Sequence, residues 1–388
     1  MNNFLTYIKF FLSAAVFLFF IAANSPVAQA QDAPVAENIT FEAEVVKILE
    51  QRQFQREDGS NVTQQNILLR GLTGEFQGRE VEFHGISEVD VFSANAYEIG
   101  DQVLVQQDYD LNGQEKFYIQ DYVRRGYIYV LAGLFAVFTV IIGGKKGLRS
   151  LLSLIVSYLI IMYFILPRIL SGSSPLIVGI IGVFLILAVI IYLTEGLGRK
   201  SHVAIASVLA SLIVTFVISY IFTKLTRLSG MAQEESVFLT GIAGGQIDFR
   251  GLLLAGILIG TAGVLDDVIV GQIEAVEQLR TVNQNLSKKE TFKAAYKIGN
   301  THLGAIVNTL FLTYTGASLP LLLLFSVNEP PFLTIREVLN HELIATEIVR
   351  TLVGSIGVAL SLPIATVMSV YLIKNKKSAV ASGKQHAR

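Results

Sequence analysis

The amino-acid sequence predicts an α-helical polytopic membrane bundle of seven spans, following a signal peptide and an exported small β-barrel domain of OB-like type. Three observations carry that expectation. Hydrophobic residues make up 52% of the 388 and charged residues only 16%, with a mean hydropathy of +0.55, too apolar for an ordinary soluble protein. Seven apolar stretches after residue 125 are each about 20 residues long, enough for a helix to cross a ~30 Å hydrocarbon core. Ahead of them lies a charged, turn-rich segment with the alternation of strands.

Composition also excludes several function classes. Lys plus Arg (30) nearly equals Asp plus Glu (31), for a net charge of −1, so no basic field is available to hold nucleic acid. Cysteine is absent, which excludes disulfides, thiolate metal sites and cysteine nucleophiles and leaves an exported domain to stand on its own core.

At the amino terminus Lys9 precedes an apolar run from Phe10 to Ala23, too short for a comfortable span and the right length for a secretory signal core. Pro26 breaks the helix, and Ala28-Gln29-Ala30 offers the small-x-small pattern a signal peptidase needs. Cleavage after Ala30 is expected, with an uncleaved anchor as the alternative; both place the next segment outside the cytoplasm. Residues 31–36 read as a linker.

Residues 37–125 read as the exported β-barrel-like domain. Strands are expected at Thr40 to Leu49, Gln65 to Leu72, Glu80 to His84, Gln102 to Gln107 and Glu115 to Tyr122. Asp58-Gly59 and Asn112-Gly113 tolerate the positive φ that tight hairpins demand. Five short strands in about 90 residues suggest a small OB-like or related Greek-key barrel. An oligonucleotide ligand is rejected, because acidic residues from Glu42 to Asp110 are spread through the domain and repel phosphate. A binding module and a plain cap or assembly domain both stay open. His84, the domain's single histidine, reads as an ordinary strand residue.

The membrane domain spans 126–373, with crossings expected at 126–144, 148–166, 175–194, 203–222, 251–270, 303–325 and 351–373, followed by a basic cytoplasmic tail at 374–388. Seven crossings from an exported domain end in the cytoplasm. Charge agrees independently: the inner segments hold fifteen Lys and Arg, among them Lys145, Lys146, Lys200, Arg280 and Lys374, and the outer segments after the first span hold six. Residues 236–250, glycine-rich and only about fifteen long, read as re-entrant or interfacial, because an eighth crossing would turn the basic segment 280–297 outward.

Ionisable groups inside a bilayer are functional candidates because burying them is costly. Asp266 and Asp267, near the expected inner end of the fifth span, are the leading pair; adjacent carboxylates repel, so one is suited to hold a proton or cation. The plain alternative is a helix end reaching cytoplasmic water. Asn308 lies at similar depth in the sixth span, which His302 begins. Glu274 follows Asp267 by seven residues, on the same face of a continued helix, and with His302 offers oxygen and imidazole ligands, though in no defined metal motif. Glu347 and Arg350 stand at i, i+3 entering the seventh span, as an outer ion pair. Pro320 and Pro363 are expected to break helices within the membrane, and Gly256 with Gly260 forms a small-xxx-small face. His341-Glu342 lacks the second histidine of a zinc-protease helix.

Taken together, Gly263-Val264-Leu265-Asp266-Asp267-Val268, Val307-Asn308-Thr309-Leu310, the run Gly316 to Leu324 and Glu347 to Ser355 resemble the YibE/F-like family of bacterial multi-pass membrane proteins. The resemblance covers the membrane domain and implies a bacterial inner (cytoplasmic) membrane protein; it carries over no established substrate. The residues themselves favour a secondary transporter coupled to a proton or cation through Asp266, Asp267 and Asn308. The alternative is a non-transporting envelope factor whose exported domain binds a partner. The expected partners are the lipid bilayer, the coupling ion, and an envelope protein or a second copy of the chain. An intramembrane aspartyl protease needs acids on two facing helices. Without a Ser/His/Asp set, a phosphate loop or a metal motif, no enzymatic activity, cofactor or metal is expected.

Overall fold

The computed structural model describes residues 39–55, 61–86, 96–110, 112–242, 247–327 and 334–373. The signal segment, the linker, the Asp58-Gly59 turn and the basic tail lie outside the described residues. The chain divides into two compact units, one within residues 29–138 and one within residues 139–388.

The first unit is a five-stranded antiparallel sheet of β1 (Thr40–Gln55), β2 (Asn61–Gly71), β3 (Glu80–His84), β4 (Gln102–Tyr109) and β5 (Glu115–Tyr122), in the order β3-β2-β1-β4-β5. Alternation along the strands sends Phe41, Ala43, Val45, Ile67, Leu69, Val81, Phe83, Val103 and Val105 into one core, where Phe41 stacks on Phe76 at 4.3 Å. β1 outruns its expected length and carries two bulges against β2, at Val45/Lys47 and Ile48/Glu50, which bend a long strand. The outer strands β3 and β5 come into contact, and Arg79, just before β3, pairs with Glu115 of β5 at 2.7 Å. Gln65 is buried, and its amide is matched by the Tyr97 backbone, donating to Tyr97 O at 3.1 Å and accepting from Tyr97 N at 2.7 Å.

The β4–β5 turn has the expected chemistry. Gly113 adopts φ 78°, and the Asp110 carboxylate accepts from the backbone N–H groups of Asn112 (2.8 Å) and Gln114 (2.9 Å). Those donors hold its carboxyl below the usual value.

Helices begin with α1 (Arg125–Ile160), whose first residue forms an ion pair with Glu42. At Gly144 the backbone leaves the helix, with φ 54° and ψ −132°. A β-carbon at Gly147 would collide with the Thr139 carbonyl, although eight residues of straight helix would separate the two by ~12 Å. The chain therefore folds back at Gly144. The far arm passes through a π-turn at Ile161–Ile165 into α2 (Leu166–Leu170), which has Pro167 in its first turn.

Next in the chain are α3 (Pro175–Glu195), α4 (Arg199–Leu225), α5 (Glu234–Ile242), α6 (Phe249–Val282), α7 (Lys288–Ala317), α8 (Leu319–Ser326), α9 (Ile335–Asn340) and α10 (Glu342–Leu372). Five helical stretches among the described residues are long and apolar enough to cross a membrane, 125–170 counted as one, and six if the bent pair α7–α8 is a single span. The chain is a multi-pass membrane protein. The first two expected spans share one helical stretch broken at Gly144, and the sixth, in which Pro320 is expected to break the helix, is bent by 67°.

Several boundaries move. α6 continues twelve residues past its expected end and α7 begins fifteen before its expected start, joined by a short turn that a Ser287–Glu290 capping box closes. α5 has nine residues, too short to cross, in keeping with the interfacial reading; Gly244 and Gly245 lie outside the described residues. Pro320 sits in the first turn of α8, at the bend. Pro363 is different: α10 runs unbroken through it. Hydroxyls on either side, Ser361 to Val358 O (2.7 Å) and Thr366 to Leu362 O (2.6 Å), hold neighbouring carbonyls, the kind of local support that lets membrane helices tolerate proline.

The helical core gathers Leu187, Ile191, Leu258, Leu265, Ile269, Val358 and Leu362 around α6 and α10. Against α10, α4 turns a stripe of Ser207, Ser211, Thr215, Ser219 and Thr223, all buried and four residues apart. A β-carbon at Gly357 would collide with the Thr215 hydroxyl. Small residues bring the two backbones close, the usual route to packing where lipid removes the hydrophobic drive between helices.

Candidate functional site

A helix of 3.6 residues per turn sends adjacent side chains ~100° apart, and of Asp266 and Asp267 only the second lines a cavity. The cavity, of about 370 Å³ between α6 and α7, is lined by Asp267, Gly271 and Gln272 on one helix and Ile298, Gly299 and His302 on the other, with Leu362 of α10 also in its wall. Asp266 is outside that wall, within electrostatic range of Asp267 and of Glu195 at the end of α3. Its Oδ1 is buried without a hydrogen-bond partner among the described residues.

The cavity owes its shape to two glycines. Gly271 has open space where a β-carbon would be, while a β-carbon at Gly299 would strike the Gln272 amide oxygen and the Leu362 side chain. Gln272 is only 3% exposed, and its Nε2 has no partner among the described residues. A buried amide donor without an acceptor costs ~1–3 kcal/mol, so Gln272 marks this cavity as firmly as the carboxylate does. The sequence offers no signal for it: Gln272 lies past the expected end of the apolar span at 270, and a spacing of five from Asp267 puts the two side chains ~140° apart on a helix.

Of the other candidates, His302 joins Asp267 in the cavity wall, both exposed, whereas Asn308, also exposed, is outside that wall. Glu274 is not beside His302. It pairs with Lys200 at 3.1 Å and accepts from Gln278 at 2.7 Å, on the side of α6 that meets the start of α4. Lys200 also pairs with Glu277, and Lys146 with Glu195 at 2.9 Å. Together these form a charge network with Asp266 at its edge. Glu347 and Arg350 pair at 2.8 Å. Among the described residues, no group of three or more His, Asp and Glu stands close enough to hold a metal ion.

One further buried group escaped sequence reading. Arg280, near the end of α6, reaches the end of α10, donating to Val370 O at 2.6 Å and to Ile373 O. The last carbonyls of a helix lack intrahelical donors, and a guanidinium with its fixed fork supplies two at once.

No curated protein and no solved structure matches the chain. The sequence model of one protein family does, over residues 131–375. That match takes in the helices that build both sides of the cavity, with Asp267, Gln272, Gly299 and His302 inside it. The chain is thus a member of the YibE/F-like protein family.

Proposed function

We propose that this protein is a secondary carrier of the bacterial inner membrane, with seven crossings, its β domain outside, its carboxyl terminus in the cytoplasm, and a proton or cation coupling site at Asp267 and His302. The observation that carries the reading is the cavity that joins a carboxylate and an imidazole between two apolar helices. Two ionisable side chains on one cavity wall between membrane helices are suited to taking up and releasing charge. Dividing the first apolar stretch at Gly144 and counting the bent pair as one span gives seven crossings, in agreement with the inward bias of Lys and Arg. Contact between β3 and β5, with the Arg79–Glu115 pair, supports a closed OB-like barrel. No catalytic chemistry is assigned.

The test is the full chain in proteoliposomes with an internal pH dye and an imposed membrane potential. Proton movement above that of empty vesicles, lowered about tenfold by Asp267→Asn and unaffected by Thr313→Ala, is the expected result, tenfold corresponding to ~1.4 kcal/mol of barrier. Movement indifferent to Asp267→Asn removes that residue from the mechanism. The self-contained β core supports a second reading, an envelope factor that binds a partner through this domain. In that case deletion of 37–122 abolishes function in cells while Asp267→Asn is silent.

A further inference from the structure

Elimination narrows what the α6–α7 cavity is built to hold. No Lys or Arg contributes to its wall, and Asp267 would repel an anion. A sugar-like ligand would need many hydrogen-bond partners, yet the wall offers three polar side chains and is otherwise glycine, alanine and branched aliphatic residues such as Ile298, Ile306 and Leu362. A bare divalent cation would need several oxygen or imidazole ligands, and among the described residues no group of three is present. Its volume of about 370 Å³ is at the small end of the range for organic ligands, ~300–1,000 Å³.

What remains is a small organic cation. We propose that this cavity binds a primary ammonium compound with an apolar body and a nearby oxygen. The Asp267 carboxylate accepts from the ammonium, the aliphatic wall covers the body, and the Gln272 amide, 3% exposed with Nε2 unpartnered, donates to the oxygen. An ammonium held by the Asp267 carboxylate, which is exposed at the cavity mouth, with its apolar remainder against the aliphatic wall, satisfies both halves of the wall at once. The glycines fit the same occupant: Gly271 leaves the floor open, and Gly299 keeps Gln272 packed in place. The inference rests on the carrier reading only in taking the cavity at Asp267 as its working site, here holding the organic cation itself; binding needs no transport.

The experiment is equilibrium binding of tritiated phenylbutylamine to the full chain in lipid nanodiscs, with unlabelled phenylbutanol, phenylbutyrate and a hydroxylated phenylbutylamine as competitors. Saturable binding is expected, displaced by the two amines and not by the alcohol or the acid. The hydroxylated amine is expected to compete more strongly, and that advantage to vanish in Gln272→Leu. Asp267→Asn, which keeps the side chain's size and hydrogen-bonding ability, is expected to weaken binding by tenfold or more, about 1.4 kcal/mol per factor of ten. Gly271→Leu, which fills the floor, should abolish binding while circular dichroism shows an intact helical fold. Equal competition by alcohol and amine, or binding unmoved by Asp267→Asn, overturns the proposal. Ammonium binding without proton movement in the vesicle assay would sink the carrier reading and leave this one standing; proton movement through Asp267 without ammonium binding would do the reverse.

Discussion

At the scale of single residues, neighbours in sequence meet different surroundings. Asp266 and Asp267 read as a repelling pair, and they stay within electrostatic range of each other although only Asp267 lines the cavity with His302, while Asp266 also feels Glu195. Their replacements should accordingly be coupled: a double-mutant cycle of Asp266→Asn and Asp267→Asn on thermal stability is expected to show an interaction above ~0.5 kcal/mol, and strictly additive effects would show two independent sites. Arg280 is the most consequential residue outside the cavity. Arg280→Met leaves the carbonyls at the end of α10 without their donors, and a loss of about 1–3 kcal/mol is expected. Circular dichroism melting in detergent measures it, and Arg280→Lys, with one compact ammonium in place of a fork, should recover only part.

At the scale of elements, two positions set how the chain turns. Gly144, at φ 54° and ψ −132°, occupies backbone space that side chains rarely enter, so Gly144→Ala should cost about 1–3 kcal/mol, read as a lowered melting temperature. In the β unit, the Asp110 carboxylate ties the β4–β5 turn through backbone N–H groups that hold its pKa below the ordinary carboxylate value. The stability this gives is present above about pH 4, the unfolded value, and is lost as the pH falls through the lower folded value. Protection factors for amide hydrogen exchange at 112–116, taken against the intrinsic rate at each pH, should therefore fall on acidification, and Asp110→Ala should lower them at neutral pH as well. Burial pushes the Tyr97 phenol up to about 12. Its contribution is intact below the unfolded value of about 10 and is lost as the pH rises toward 12, so the β unit should melt earlier through that window and Tyr97→Phe should flatten the dependence. The two prolines show how context decides an element's fate: Pro320 starts α8 at a 67° bend, while Pro363 sits inside a continuous α10. Residue type alone could not separate them.

At the scale of the whole molecule, a chain with no native cysteine is ready for topology mapping. Single cysteines placed at Gln53 and at Asn285 should give opposite results with a membrane-impermeant maleimide on intact spheroplasts: the first labelled, the second labelled only after lysis. Labelling of Asn285→Cys without lysis would reverse the orientation of the bundle. Most of the architecture is legible in the residues alone. β3, β4 and β5 fall at or close to their expected limits because a half-buried sheet writes its faces into every second residue, while β1 runs on past its expected end and β2 begins before its expected start; the apolar helices announce themselves because lipid demands long runs of hydrocarbon. The continuation of α6 and α7 beyond the apolar core is harder to read, since water-exposed turns of helix carry no such demand. The serine and threonine stripe of α4 is visible as a four-residue spacing, but not which helix it faces.

Sequence by itself determined the class of molecule, the order of its parts and the ionisable residues worth watching, because those depend on composition and local periodicity. Only the tertiary structure decided that Asp267 keeps company with His302 and Gln272 while Asp266 and Glu274 do not, and that Asn308 lies outside their cavity. Which side chains meet depends on how each helix is rotated about its own axis and on glycines such as Gly299 that let two of them approach. Rotation and approach are set by packing of α6 against α10 and α4 and of α7 against α10, contacts between helices that do not follow one another in the chain.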